Sequence, residues 1–332
     1  MLISSFSAAL IALTQPTCTV ALTAAPAYTH CAQGEVGTAI SREQTEADAL
    51  LAYAESAEPR FARHFPGTLR PYVVLYFEED APATELQEAG FPAVLAWASP
   101  QKIGRLLGDA LRQNARGPEN SPLSAETETA VQAQTALLTR GLVDMQDGVI
   151  AHEVAHVWYR DTYWRNSGQP GGGYGTPAPD WLDETAAILC ENDAMAVKRR
   201  STFLNAWSVL ATGDRHAAGA VGDLAHMLGR SHPSHAASSR TTDPAGAQAT
   251  VTVRPRSGDT NLYYGQIRAF ADFLISVTVD DQVFARVTEA FVEGQSIEQW
   301  LAGQSAYPQL ARDVPGLQSQ WSGWIESQLV GG

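Results

Sequence analysis

Residues 148–191 read GVIAHEVAHVWYRDTYWRNSGQPGGGYGTPAPDWLDETAAILCE, and the interpretation of the chain starts from this stretch. If residues 148–159 are helical, His152 and His156 lie at positions i and i+4 on one face, where both imidazoles can hold one metal ion. Catalytic zinc takes three protein ligands and leaves the fourth position to water. Two histidines therefore leave the predicted site one ligand short.

A second predicted helix, residues 180–191, supplies the missing carboxylate. Glu184 comes 28 positions after His156 and is followed by small residues. The predicted ligands of one Zn²⁺ ion are thus His152, His156 and Glu184. Glu153 lies beside them and is the predicted general base, which takes a proton from the attacking water and passes it to the leaving amine.

The two segments together resemble the gluzincin zinc metallopeptidases (peptidase MA-like), and locally the aminopeptidase N type, in which HExxHxW precedes WLxE and a further acid. Here residues 152–159 read HEVAHVWY and residues 181–184 read WLDE. The resemblance implies that Glu191, two helical turns beyond Glu184, orients a metal ligand without binding the metal itself. It also places Asp161 behind the ligands, where the family commonly has an asparagine.

The resemblance further implies a tyrosine that stabilises the oxyanion of the reaction. Tyr264, followed by Phe273 and Leu274, is similar to the family segment that carries this residue, and Tyr263 is the alternative. The implied fold is α+β and zincin-like. It has a small N-terminal mixed sheet with helices up to about residue 147, then the active-site helix pair and a mainly helical C-terminal part.

Two departures from the family concern substrate binding. The chain has 27 residues between His156 and Glu184, more than is usual in the family, and the extra length falls in a glycine-rich loop. We expect this loop, residues 160–180, to shape access to the metal. No GAMEN segment, which holds the free amine of an aminopeptidase substrate, precedes His152. The choice between endopeptidase and aminopeptidase therefore stays open.

Residues around the motif predict the remaining elements. LRPYVVLYF (69–77) and FPAVLAWA (91–98) are typical of strands, and an extended peptide could pair with an edge strand. Asp147 is a candidate N-cap of the HEVAH helix. Apolar spacing predicts further helices over 42–64, 103–113, 125–140, 194–212, 261–277, 280–293, 297–301 and 317–329.

The charge of the chain limits its partners. The formal net charge is −14, and there is no block of basic residues, which argues against nucleic acid or anionic lipid as a partner. Beyond the N-terminal segment, no apolar run reaches the length of a membrane span. The predicted partner is a peptide or protein substrate.

The N-terminus predicts export. Residues 2–27 carry no charged side chain, and an apolar run over 2–13 precedes small residues, as in a secretory signal peptide. We therefore predict a signal peptide over 1–27, a single domain over 28–332 and a secreted or extracytoplasmic location. The alternative is a cytoplasmic protein with an N-terminal arm. Removing Cys18 would leave Cys31 and Cys190, either bonded or as two buried thiols.

Four further histidines, His216, His226, His232 and His235, have irregular spacing. We expect them to be exposed or core residues rather than ligands. The leading hypothesis is a zinc metallopeptidase. The alternatives are a catalytically silent zinc-binding interaction domain and a zinc hydrolase that acts on a non-peptide substrate.

Overall fold

The computed structural model describes residues 16–67, 69–78, 80–116, 122–165, 177–212, 221–233 and 257–330. Across these residues four strands and fourteen helices form an α+β structure, which confirms the predicted fold class at that level. The described residues divide into two compact units, one drawn from 1–51 and 71–99 and the other from 52–70 and 100–332. The prediction of a single domain over 28–332 stays a prediction.

The first unit is a four-stranded mixed sheet with short helices. Its elements are α1 (Cys18–Ala24), β1 (His30–Gln33), β2 (Gly37–Ser41), β3 (Tyr72–Phe77), α4 (Ala83–Glu88) and β4 (Val94–Ala98), and the boundary with the second unit falls within α2 (Gln44–Glu55). The strand order is β1-β2-β3-β4. The β1–β2 pair is antiparallel, and the other two pairs are parallel.

The two predicted strands are β3 and β4, and β4 lies at an edge of the sheet. The sequence did not indicate β1 and β2, because both are short and lack the bulky β-branched and aromatic run that marks β3. Strand β2 is nevertheless fully buried. Gly37 at its start lies against the Tyr72 ring, which would be only 2.2 Å from an added Cβ atom. A larger residue at this position would displace the Tyr72 ring.

The cysteine pairing differs from the pairing considered from the sequence. Cys18 is bonded to Cys31, with 5.7 Å between their Cα atoms, and Cys190 is a buried free thiol. The hypothesis of a Cys31–Cys190 bond is therefore wrong. It failed because it assigned Cys18 to a removed leader.

Helix α1 also belongs to the core of the first unit, where Ala21 and Ala25 are buried beside Ile40 and Val73. A leader that ended at residue 27 would remove this helix. That boundary stays a prediction, and the apolar run 2–13 lies outside the described residues.

We predict that the denatured, non-reduced protein is alkylated at one cysteine, Cys190, and at three after reduction, because Cys18 and Cys31 are bonded. The measurement is the intact mass after iodoacetamide treatment of protein made in an oxidising compartment. The variant Cys190→Ala should take up no label before reduction. A peptide map that links Cys31 to Cys190, or two labelled cysteines in a chain that lacks residue 18, would contradict the pairing. Closing a loop of this size should contribute about 3 kcal/mol to stability.

The second unit is helical in its described residues. Its helices are α3 (Glu58–His64), α5 (Pro100–Arg116), α6 (Ala125–Val143), α7 (Gln146–Tyr163), α8 (Asp180–Cys190), α9 (Asp193–Thr212), α10 (Leu224–Gly229), α11 (Ser257–Thr278), α12 (Val283–Val292), α13 (Ile297–Gly303) and α14 (Val314–Val330). None of the helices found in the described ranges combines the length and the apolar character that a membrane crossing needs.

The predicted helices are present, with two corrections. The segment 42–64 is two helices, because Pro59 in the first turn of α3 cannot continue α2 but is well suited to begin a new helix. The N-cap of α7 is Met145, so Asp147 lies inside the first turn. There one Asp147 oxygen accepts the Gly148 N–H, and the other accepts the Asn192 side chain at 2.5 Å. Asp147 thus ties the start of α7 to the segment that follows α8.

Helices α7 and α8 form the buried centre of this unit. Every residue of α8 from Trp181 to Cys190 is buried, and so is α7 from Ile150 to Tyr159 except Glu153. Helices that are buried on nearly all sides belong to a core. Trp158 packs edge-on against Phe61, with 5.5 Å between the ring centroids. Side chains on α7 and α8 are therefore held in fixed positions.

Helices α9 and α11 approach each other closely at Gly265. A Cβ atom added there would lie 2.7 Å from the backbone oxygen of Arg199, and backbone atoms cannot move aside as a flexible side chain can. Gly265 therefore sets the separation of the two helices next to Tyr264.

We predict that Gly265→Ala lowers the free energy of unfolding by about 1–3 kcal/mol, because it overpacks this crossing. Gly323→Ala is the control. Gly323 lies within α14 with no atom within 4 Å of an added Cβ, so alanine should be neutral or stabilising by up to about 1 kcal/mol. Denaturant unfolding measures both. Equal effects of the two substitutions would show that the crossing is not tight.

Candidate metal centre

The structure brings the three predicted ligands together. His152 and His156 on α7 point their Nε2 atoms at each other, 3.2 Å apart, and Glu184 on α8 places Oε2 3.3 Å from the first and 3.9 Å from the second. One ligand atom from each residue lies within 4.8 Å of the other two. All three side chains are buried. This arrangement follows from the i, i+4 spacing on α7 and the packing of α8 against it.

A carboxylate lies behind each imidazole. His152 donates from Nδ1 to Oε1 of Glu191 at 3.0 Å, and His156 donates from Nδ1 to Oδ1 of Asp183 at 2.7 Å. Ionised carboxylates only accept hydrogen bonds, so the outer nitrogens carry the protons. The inner Nε2 atoms are then available as ligands. Carboxylates that orient metal-binding histidines in this way are usual in zinc sites.

The neighbouring carboxylates also change the pKa values of the two imidazoles. Burial alone would lower the pKa of His152, but hydrogen bonds to Glu184 and Glu191 raise it to about 10. For His156, burial is likewise outweighed, mainly by the hydrogen bond to Asp183, and its pKa is raised. Burial would raise the pKa of Glu191, yet hydrogen bonds from His152 and Arg199 lower it. The centre therefore favours positive charge between its inner atoms.

These residues fit a divalent metal ion. Glu184, Asp183 and Glu191 contribute three carboxylates, and the guanidinium of Arg199 balances one of them. A bound cation would displace the additional protons that the raised pKa values let the imidazoles keep. With both imidazoles neutral, two formal negative charges remain, which a divalent cation would neutralise. Two imidazole nitrogens and one carboxylate oxygen are also ligands that zinc accepts. The residues His152, His156 and Glu184 can therefore hold a metal ion.

Glu153 differs from every ligand around it because it is only partly buried. Among the described residues it has no hydrogen bond or ion pair that would explain its position by structure alone. Glu153 directly follows the predicted ligand His152 on α7. Glu153 is thus placed beside the ligands with a carboxylate that can act on a bound molecule.

Tyr264 on α11 lies at the edge of the centre. Its ring centroid is 5.7 Å from that of His152, and its hydroxyl is 3.1 Å from Nε2 of His232. Burial, followed by the charge of Glu184, raises the pKa of Tyr264 above its ordinary value, so the hydroxyl keeps its proton. Tyr263 is fully buried, and its hydroxyl has no hydrogen-bond partner among the described residues.

Of the two further histidines that the structure describes, one is part of the centre. His232 is buried, with Nε2 3.6 Å from Oε1 of Glu184, while its backbone N–H donates to Asp180 at 2.7 Å. His226 is exposed, as expected from the sequence. His216 and His235 lie outside the described residues.

Asp161 is buried but does not reach the ligands. One of its oxygens accepts a hydrogen bond from Arg70 at 2.6 Å, and the other pairs with Arg165. Asp161 is nine positions after His152, which at about 100° per residue turns it to the opposite side of α7. Its role is to bind the two arginines.

Three residues of the site carried too little signal for a role to be predicted. Asp183 is an acid directly beside Glu184 in a helix that is buried from Trp181 to Cys190, and that position could have indicated it. Arg199 lies eight positions beyond Glu191, on the next helix, and His232 lies in a separate segment. For these two, only the packing of distant segments reveals the contact.

The predicted access loop 160–180 begins as the last turn of α7, and residues 166–176 of it lie outside the described ones.

Comparisons with protein-family models, curated proteins and solved structures found no match to this chain. Its function must therefore be argued from the site itself.

We predict that the purified protein binds one equivalent of Zn²⁺ and is stabilised by it. Free zinc at 100-fold above its Kd should add about 2.7 kcal/mol to the free energy of unfolding. The thermal midpoint measures this, and chelation should reverse it. His156→Ala should lose the response, whereas His226→Ala, which changes an exposed histidine, should keep it. An equal response of both variants would contradict the assigned ligands.

Proposed function

We propose that the protein is a zinc-dependent peptidase of the gluzincin type with a zincin-like catalytic domain. The observation that carries the proposal is the joint placement of two imidazoles and one carboxylate around a single point, with Glu153 partly exposed beside them. A site that only stored metal would have no need of this additional carboxylate. No family match supports the assignment, which rests on the chemistry of the site.

The chemistry divides between the metal and the protein. Zinc held by His152, His156 and Glu184 would supply an acidified water and polarise a substrate carbonyl. Glu153 takes the proton of the attacking water and returns it to the leaving amine, because it alone among these carboxylates is open to a substrate. Glu191 and Asp183 hold the imidazole rings in orientation throughout.

Tyr264 is the proposed donor to the oxyanion that forms on the carbonyl. It is partly exposed, close to His152 and protonated, whereas the Tyr263 hydroxyl is enclosed. With a proton on Nε2, His232 donates to the Tyr264 oxygen and leaves the hydroxyl proton for the substrate. A preorganised donor of this kind acts where negative charge develops.

We also propose that the protein works outside the cytoplasm. The Cys18–Cys31 bond supports this, because disulfides persist mainly in oxidising compartments. The cleavage site of any leader and the peptide sequences that are cut stay open to experiment.

We predict that Glu153→Gln reduces peptide cleavage by a factor on the order of 10²–10⁴ while zinc is still bound, because only the proton transfer is lost. The assay is hydrolysis of an unfolded protein and a peptide panel, with the zinc content measured on the same samples. If the wild-type protein holds one equivalent of zinc and cuts none of the peptides, the peptidase proposal is wrong. A silent binding domain or a hydrolase of non-peptide substrates would then remain.

We predict that Tyr264→Phe lowers kcat by a factor on the order of 10²–10³ with little change in KM, because the donor acts in the transition state. Tyr263→Phe is the matched control and should keep kcat within a few-fold, since its hydroxyl bonds no described residue. Steady-state kinetics on one cleaved peptide decides between them. A larger loss for Tyr263→Phe would reverse the assignment.

A further inference from the structure

We propose that Arg199 is a positioning residue that fixes His152 and Tyr264 relative to each other. The inference rests on the proposed metal centre. Arg199 is neither a predicted ligand nor part of the predicted signature, and it acts on His152 through Glu191 and on Tyr264 directly.

On one side, Arg199 holds the carboxylate behind His152. Its Nη2 donates to Oε1 of Glu191 at 2.8 Å, and its Nε donates to Oε2 at 3.2 Å. The same Oε1 accepts the Nδ1 proton of His152 at 3.0 Å. Both oxygens of Glu191 are thus engaged, so the carboxylate cannot rotate without breaking a charge-assisted hydrogen bond. The orientation of the His152 ring follows from that of Glu191.

On the other side, Arg199 covers the ring of Tyr264. The central carbon of the guanidinium lies 4.2 Å from the ring centroid, within the range of a cation–π contact. The Tyr264 ring in turn packs edge-on against His152, so that the contacts among the four residues form a closed cycle. The cycle runs from His152 to Glu191, Arg199 and Tyr264 and back to His152. Each of the four groups is therefore fixed by two neighbours.

The backbone at Arg199 is fixed as well. Its carbonyl oxygen lies against Gly265, at the close approach of α9 and α11. The Arg199 side chain is only 13% exposed, so it cannot turn into solvent. The residue thus links the helix that follows Glu191 to the helix that carries Tyr264.

A guanidinium suits this position better than an ammonium group. It is planar, so it can donate two parallel hydrogen bonds to Glu191 while one face covers an aromatic ring. A lysine would keep the positive charge, but it could neither donate two parallel hydrogen bonds to Glu191 nor lay a planar face on the Tyr264 ring. The neighbouring arginine, Arg200, pairs instead with Asp272 and forms no hydrogen bond or ion pair with the described residues of the centre. Arg200 is therefore the matched control.

The experiment measures zinc affinity by chelator competition in the wild-type protein and in the variants Arg199→Ala, Arg199→Lys and Arg200→Ala. We expect Arg199→Ala to weaken zinc binding by about 10- to 100-fold, as when other groups that orient metal ligands are lost. Arg199→Lys should weaken it at least several-fold, and Arg200→Ala should stay within about twofold. Visible absorption with Co²⁺ in place of zinc should change in both Arg199 variants and not in Arg200→Ala.

Circular dichroism establishes that each variant is folded, and if Arg199→Ala is not, Arg199→Lys decides the matter. Wild-type zinc affinity and an unchanged Co²⁺ spectrum in a folded Arg199 variant would overturn the inference. Equal weakening in Arg200→Ala would do the same, since it would show a general loss of packing. A wild-type protein that binds zinc but cuts no peptide defeats only the proposed function. A wild-type protein that binds no zinc defeats both.

Discussion

The structure of the second unit depends on the concentration of negative charge in its core. Three carboxylates, those of Asp183, Glu184 and Glu191, are almost completely buried there. Burying ionised groups is costly unless each is paired and hydrogen-bonded. Two imidazoles and one guanidinium provide that pairing, and the point between the inner atoms still favours a cation. The surrounding helices hold this group of side chains in place.

The predicted ligands and the groups that surround them are held in place by different sets of helices. The ligands are fixed by α7 and α8, which are buried on nearly all sides and pack directly against each other. The groups behind and beside the ligands come from both ends of α8, from α9, from α11 and from the segment after α10. A centre assembled from so many elements can be rigid because each element also belongs to the core. Rigid orientation is what metal binding and catalysis both require.

The contrast between Glu153 and its neighbours is the clearest functional feature. The other carboxylates of the centre are buried and lie within hydrogen-bond or ion-pair distance of His or Arg side chains, so their positions have a structural explanation. Glu153 is partly exposed, and among the described residues no hydrogen bond or ion pair accounts for its position. In the proposed mechanism this side chain, next to two convergent imidazoles, acts on the bound substrate. Tyr264 faces the same group from α11, with a hydroxyl that stays protonated.

The sequence by itself determined the elements whose geometry is local. Spacing along α7 placed His152 and His156 on one face, and YVVLYF marked β3, because helix and strand periods depend only on neighbouring residues. The tertiary structure alone decided which carboxylate lies behind which imidazole, that Arg199 and His232 join the centre, and that Cys18 pairs with Cys31. It also decided that Asp161 turns away from the predicted ligands and that two short strands without a clear sequence signal, β1 and β2, pair beside β3. These contacts join residues distant in the chain, and they form only when whole elements pack.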